Sequence, residues 1–385
     1  MCLRSYNAGT CRKVTGCPEY TGGMAFVLDA DTHICEPAAM WDFLPKDLYP
    51  RRPVMATLPS DTLYGGRNAV WLIDGNIFPK PAGKGGFSLA TPCQTDFGRA
   101  RTDIQIACRE ITDPAARVAD MDKHGIDQQV VYPTLFLVHL TDDVKLEIGL
   151  CQAYNRYLGD ASDKSNGRIR WVVVPPLRSV DATVQEMRWG KEHGAVGVFI
   201  KGIERDLTLD DPYFFPVYDE AQRLDLPVCI HTAAGCPAWT EVFTIERNSS
   251  FPHIRLLPLI AFRDLVQNRI PEQFPKLRWG FVEAGASWVP YVFHNLQRQL
   301  KDDPSRYGPQ LFEDCNFFVA CEVGEDVGYL SRFIGEDHLI IGSDYGHTDP
   351  STEPELVASL KGREELSPQA VGKILDANPR ALYGL

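Results

Sequence analysis

Short apolar runs alternate with segments of helical spacing from Asp113 onward, whereas neither period persists between Glu36 and Glu110. The runs are Ala25–Leu28, Gln129–Tyr132, Ile169–Val174, Val196–Ile200, Pro227–His231, Leu277–Glu283, Asn316–Val319 and His338–Asp344. Most show no polar alternation, the pattern of parallel strands covered on both faces. Helices are predicted between them. Asp113 caps the first and Pro114 suits its first turn, with the helix running to about Gly125. Others are expected near Asp143–Asp163, Asp181–His193 and after Asp211-Pro212, and a last one opens at Ser367-Pro368 and closes at Asn378-Pro379 on the exterior. Eight such units predict an α/β fold, a closed (β/α)8 TIM-like barrel in preference to an open doubly wound sheet. No phosphate-binding glycine fingerprint follows the first run, which removes the main support for a dinucleotide site.

The segment from Glu36 to Glu110, rich in Pro and Gly, reads as an insertion after strand one that serves as a lid or binding loop. Within it, Trp71-Leu72-Ile73-Asp74-Gly75-Asn76 predicts a strand entering a tight turn, hence a small hairpin. Residues 1–23 carry no period and are expected to be a disordered tail, with Met24 as an alternative start. Residues 24–385 then form one barrel unit.

Composition narrows the class. With 44% hydrophobic and 23% charged residues, 385 residues can bury a sizeable core. A formal net charge of -12 argues against a nucleic-acid or anionic-membrane surface, which needs clustered Lys and Arg, and leaves a small-molecule substrate as the expected partner. No window approaches the roughly 20 apolar residues of a membrane span, and no signal-peptide core opens the chain, so a cytoplasmic location is expected. Eleven cysteines, several in apolar surroundings, do not suggest a disulfide framework, and Cys2, Cys11 and Cys17 lack the close pairing of zinc knuckles.

In a barrel the chemistry sits at the C-terminal strand ends, and four strands deliver a possible metal ligand there. Strand one ends in Asp31 and His33, strand five in His231, strand six in Glu283 and strand eight in Asp344. Each alone reads as a helix cap or a satisfied core histidine; caps have no reason to cluster at one barrel mouth. Two imidazoles with two or three carboxylates and no thiolate suit one divalent Zn, Fe or Mn ion. A carboxylate left unligated, Glu283 or Asp344, can serve as base. Asp29 reads as strand-end support and Glu36 as a neighbour of the ligands.

Several stretches together resemble the amidohydrolase superfamily, in the amidohydrolase-2 branch that also holds the ACMSD-like non-oxidative decarboxylases. They are Asp29-Ala-Asp31-Thr-His33, Met121-Asp-Lys-His-Gly-Ile-Asp127, His231, Glu283-Ala-Gly285, Gly342-Ser-Asp344-Tyr-Gly-His347 and Asn378-Pro-Arg-Ala-Leu-Tyr-Gly384. The resemblance implies a single divalent metal on Asp31, His33, His231 and Asp344, and a homodimer. Two positions depart from it. The family commonly has His-x-His at strand one, where this chain has Asp31, and a His at strand six, where it has Glu283. Both changes add negative charge, which favours iron or manganese, with zinc still compatible.

Around these, Lys201 at the end of strand four is a candidate for a substrate carboxylate, carbonyl or phosphate, His347 for ligand orientation or substrate contact, and Trp288 and Trp239 for pocket walls. Three functions follow. The leading expectation is a hydrolase that uses metal-activated water on an amide, ester or thioester, an acyl-CoA included, because Glu283 is a poorer proton donor than His. The alternatives are non-oxidative decarboxylation of an aromatic or enolic acid, and a barrel that binds a metal or ligand without turnover.

Overall fold

The apolar runs pair side by side in chain order. The structure is a computed structural model that describes residues 26–59, 61–62, 69–80, 82–86, 103–244, 255–301, 303–348 and 351–385. The expected tail, 1–23, and part of the insertion lie outside these residues. Eight parallel strands form one sheet: β1 (Leu28–His33), β2 (Gln128–Tyr132), β3 (Ile169–Val173), β4 (Ala195–Lys201), β5 (Val228–His231), β6 (Trp279–Val282), β7 (Phe317–Cys321) and β8 (Leu339–Ile341). Just past β8 the chain turns back onto β1. The Asp344 N–H donates to the Asp31 carbonyl (3.0 Å) and the His33 N–H to the Tyr345 carbonyl (2.7 Å), which closes the barrel. The closing seam therefore runs through Asp31, His33 and Asp344.

Seven principal helices follow β1 to β7 in turn: α1 (Pro114–Lys123), α2 (Val144–Lys164), α3 (Val180–Glu192), α4 (Phe215–Arg223), α5 (Leu256–Gln267), α6 (Val289–Leu300) and α7 (Val327–Ile334). Asp113 caps α1 as the sequence predicts and Asp143 caps α2, each accepting from two N–H groups of the first turn. Ser179 caps α3, accepting from the Ala182 N–H (3.4 Å). The C-terminal segment departs from expectation, because Asn378-Pro379 does not end it. A π-helical turn, Lys373–Ala377, re-registers the backbone ahead of the proline, and Asn378–Tyr383 stays helical. Asn378 Nδ2 donates to the carbonyls of Glu336 (2.6 Å) and Leu339 (2.7 Å), pinning this segment beneath β8.

The predicted hairpin is present as the second turn of a three-stranded antiparallel sheet, Val54–Thr57, Ala69–Ile73 and Asn76–Phe78. Asp74 (φ 49°) and Gly75 (φ 81°) supply the two left-handed positions that a tight hairpin turn requires. Asp74 then accepts from Arg51 (2.6 Å) and from the Thr141 hydroxyl (2.5 Å), tying the insertion to the barrel rim. The seven described cysteines are free thiols, in keeping with the absence of a disulfide framework in the sequence reading.

Behind β1, the fully buried Arg117 guanidinium spans the seam. It donates to Gln129 Oε1 (2.8 Å) and to the carbonyls of His33 (3.2 Å) and Cys108 (3.0 Å), and stacks 3.9 Å over the Tyr345 ring. Truncation would leave these buried acceptors without a donor. Arg117→Met is expected to lower the unfolding free energy by about 3 kcal/mol, measured by urea denaturation; an unchanged midpoint would mean that Arg117 does not hold the seam.

Candidate metal centre

The four strand ends meet. Asp31, His33, His231 and Glu283 each place a ligand atom within 4.8 Å of the others, and so do His33, Glu283, Asp344 and His347; all six residues are buried. The backbone explains how β6 and β8 present their carboxylates. Glu283 (φ 57°) and Asp344 (φ 51°) both adopt the left-handed conformation where each strand breaks into its loop, a costly choice for a residue with a side chain. The Thr232 hydroxyl fixes Glu283 through its carbonyl (2.8 Å), and the Thr352 hydroxyl donates to Asp344 Oδ2 (2.8 Å).

Partners on the far side of each imidazole define its near side. His33 Nδ1 lies 3.0 Å from the Pro133 carbonyl and His231 Nδ1 lies 2.8 Å from the Thr232 carbonyl. A carbonyl only accepts, so each Nδ1 carries a proton and each Nε2 points inward. His33 Nε2 stands 3.2 Å from Glu283 Oε2 and 3.5 Å from Asp31 Oδ1; His231 Nε2 stands 3.1 Å and 3.4 Å from the same two atoms. Burial, reinforced by the neighbouring His347 and His231, holds the His33 ring well below its ordinary pKa, so it stays neutral. The lone pair of the neutral His33 imidazole and the carboxylates facing it at this range repel one another unless a cation lies between them. The donor set thus fits a divalent ion with nitrogen and oxygen preference.

His347 joins the cluster more intimately than its place in a loop suggests. Its ring stacks on His33 (centroids 3.7 Å apart), its Nδ1 lies 2.8 Å from Asp344 Oδ1, and its Nε2 lies 2.8 Å from the Thr134 hydroxyl. Asp29 faces away from the others. A register shift in β1 between Asp29 and Thr32 turns it toward β8, where it accepts from the Ser343 N–H (2.8 Å) and hydroxyl (2.5 Å). Its carboxyl, pushed up to about 7 by burial, is a seam support. Glu36 accepts from the Thr134 and Leu135 N–H groups (both contacts within 3.0 Å) and so sets the loop that carries His347's partner.

The remaining candidates lie farther out. Lys201 pairs across the sheet with His231 but spends its ammonium on Glu204 (3.3 Å) in the wall of a neighbouring cavity of about 390 Å³. Trp288 sits in an aromatic cluster with Phe262 and Phe281, its indole donating to the Gly285 carbonyl (2.7 Å), and it does not line that cavity. Trp239 packs on Phe243 (5.6 Å). Sequence reasoning passed over Thr134 and Thr352, whose hydroxyls orient His347 and Asp344. No local pattern marks them, since each acts across more than one strand or loop.

At Gly342 an added Cβ would stand 2.3 Å from the Asp31 Cβ and 2.7 Å from its backbone nitrogen. Gly342→Ala must therefore displace Asp31. It is expected to cost about 2 kcal/mol and to lower metal occupancy, measured by melting curves with and without added Mn(II); equal stabilisation of variant and parent by the metal would contradict this.

The family model described as Amidohydrolase (Amidohydro_2) matches residues 102–385. The chain belongs to the amidohydrolase family. The 2-amino-3-carboxymuconate-6-semialdehyde decarboxylase of Dictyostelium discoideum is 22% identical over 288 residues, covering 71% of this chain and 77% of the relative. Among solved structures, an amidohydrolase of Mycobacterium avium subsp. paratuberculosis superposes with a TM-score of 0.70 at 20% identity, covering 94% of this chain and 98% of that one. The 5-carboxyvanillate decarboxylase of Novosphingobium aromaticivorans, complexed with manganese and 4-hydroxy-3-methoxy-5-nitrobenzoic acid, superposes with a TM-score of 0.67 at 18% identity over 95% and 98% of the two chains. Both share the barrel fold. Among the described residues no helix is long and apolar enough to cross a membrane.

Proposed function

We propose that this protein is a metal-dependent, non-oxidative decarboxylase of a small aromatic or enolic carboxylic acid. The observation that carries the reading is the pair of inward-facing nitrogens, His33 Nε2 and His231 Nε2, set against Asp31 and Glu283 within 3.5 Å. Asp31, His33, His231 and Asp344 hold the ion, with Glu283 as a fifth ligand or as base. When bound, the ion supplies positive charge that orients the acid and stabilises negative charge developing on it. Manganese is favoured by the carboxylate-rich donor set and by its presence in the carboxyvanillate decarboxylase.

The order of reactions expected from the sequence is reversed here. Hydrolysis led because Glu283 is a weak proton donor, but His347 provides an imidazole at the same cluster, from strand eight instead of strand six. Its Nδ1 lies within ion-pair range of Asp344 Oδ1 (2.8 Å), while the Thr134 hydroxyl hydrogen-bonds Nε2 (2.8 Å). This imidazole protonates the ring or enolic carbon as carbon dioxide departs, and Glu283 orients the acid or takes its hydroxyl proton. The relatives with a named reaction described above, a carboxymuconate-semialdehyde and a carboxyvanillate decarboxylase, support the same order. The test is a panel of hydroxybenzoates, enolic acids and acyl thioesters offered to the Mn(II)-loaded protein. Carbon dioxide from an acid is expected; free thiol from a thioester without carbon dioxide would restore the hydrolase.

A further inference from the structure

Beside the metal cluster lies a cavity of about 390 Å³, at the lower end of the range for small-ligand sites. Phe199 is its boundary with the cluster, because that ring lines the cavity and also stands 5.9 Å from the His231 ring. Lys201, at the cavity wall, is the β4 neighbour of His231. On the other side Phe136 lines it two residues beyond Thr134, the partner of His347. A ligand held at the cluster would thus have the cavity within one side chain of it.

The lining decides what fits. Phe136, Leu150, Val174, Phe199 and Phe214 make most of the surface apolar. Its cations are already engaged: Lys201 with Glu204 (3.3 Å), Arg178 with Glu147, and Arg205 with Asp142 (2.9 Å). Asp206, exposed at the edge, adds another carboxylate. His139 donates from Nε2 to the Gly235 carbonyl (2.7 Å), and burial next to Lys201 keeps it neutral. A second anionic group entering here would lose hydration and find each cation already paired with a carboxylate. An apolar group would only exchange water for carbon.

We infer that this cavity receives the uncharged, apolar end of the substrate, so the protein acts on a monoacid bearing an alkyl or aryl body and discriminates against diacids. The inference rests on the reading above that the acid group is held at the metal cluster. Isothermal titration of the full-length Mn(II)-loaded protein with benzoate, 4-propylbenzoate and 4-pentylbenzoate tests it, alongside matched acids whose chain ends in a second carboxylate. Affinity is expected to rise with chain length, by up to about fourfold per buried methylene, and the terminal carboxylate to cancel the gain. Val144→Trp, at an exposed lining position where added bulk is expected to leave the fold intact, and Leu177→Trp should each flatten the series. A flat series in the parent protein, tighter binding of the diacids, no binding of any acid, or an unchanged slope in both Trp variants overturns the inference. Binding and turnover fail separately. A steep series without carbon dioxide release rejects the reaction and keeps the cavity; release with a flat series does the reverse.

Discussion

Asp344→Asn is expected to lower turnover by at least about 1000-fold and to reduce bound metal well below one per chain, with the barrel intact. Asparagine is the right replacement because position 344 sits at φ 51°, a conformation that Asn tolerates far better than Ala. It also keeps the backbone bond from the residue-344 N–H to the Asp31 carbonyl (3.0 Å), which belongs to the barrel seam. What it removes is the anionic oxygen that stands 3.6 Å from His33 Nε2 and 2.8 Å from His347 Nδ1. Metal analysis, steady-state turnover and a thermal melt on one preparation check the three parts. Full metal content with full turnover would remove Asp344 from the site.

His347→Gln should behave differently. Here turnover is expected to fall by about 100- to 10000-fold, the usual contribution of a positioned acid or base, while bound metal stays near that of the parent protein. On the proposed reading His347, whose Nδ1 lies 2.8 Å from Asp344 Oδ1 and whose Nε2 lies 2.8 Å from the Thr134 hydroxyl, carries a proton and is not a primary ligand. Four ligand groups, Asp31, His33, His231 and Glu283, remain clustered without it. Loss of metal in parallel with activity would place His347 among the ligands, in the second grouping the site offers, with His33, Glu283 and Asp344.

Much of this arrangement is legible in the chain because a barrel turns a one-dimensional fact, the last polar residue of an apolar run, into a shared location. Asp31, His33, His231, Glu283 and Asp344 could be singled out on that ground alone. Side-chain direction was harder to read. Simple alternation along β1 puts Asp29 on the face of Asp31 and His33, yet the register shift after Asp29 sends it to Ser343. His347 could be singled out as a loop candidate for ligand orientation or substrate contact, but nothing local reveals that the chain folds back at Tyr345 to stack it on His33. Lys201 was placed correctly at a strand end, but its pairing with Glu204 depends on a two-residue strand, Ile203–Glu204, too short to register as a pattern. Trp288 shows the limit of residue type as a guide: the same indole suits a pocket wall or an aromatic core, and Phe262 and Phe281 decide for the core. Asn378-Pro379 looked like a helix end because a proline interrupts α-helical bonding, and only the π turn before it removes that conflict.

The acid chemistry is expected to depend on one ion in this cluster. The direct measurement is carbon dioxide release from the best acid of the panel, followed as the metal-stripped full-length protein is titrated with Mn(II). Release should begin near zero, rise linearly and break at one equivalent per chain. Release that is independent of added metal, or a fully loaded protein that frees thiol from thioesters and no carbon dioxide from any acid, would contradict it.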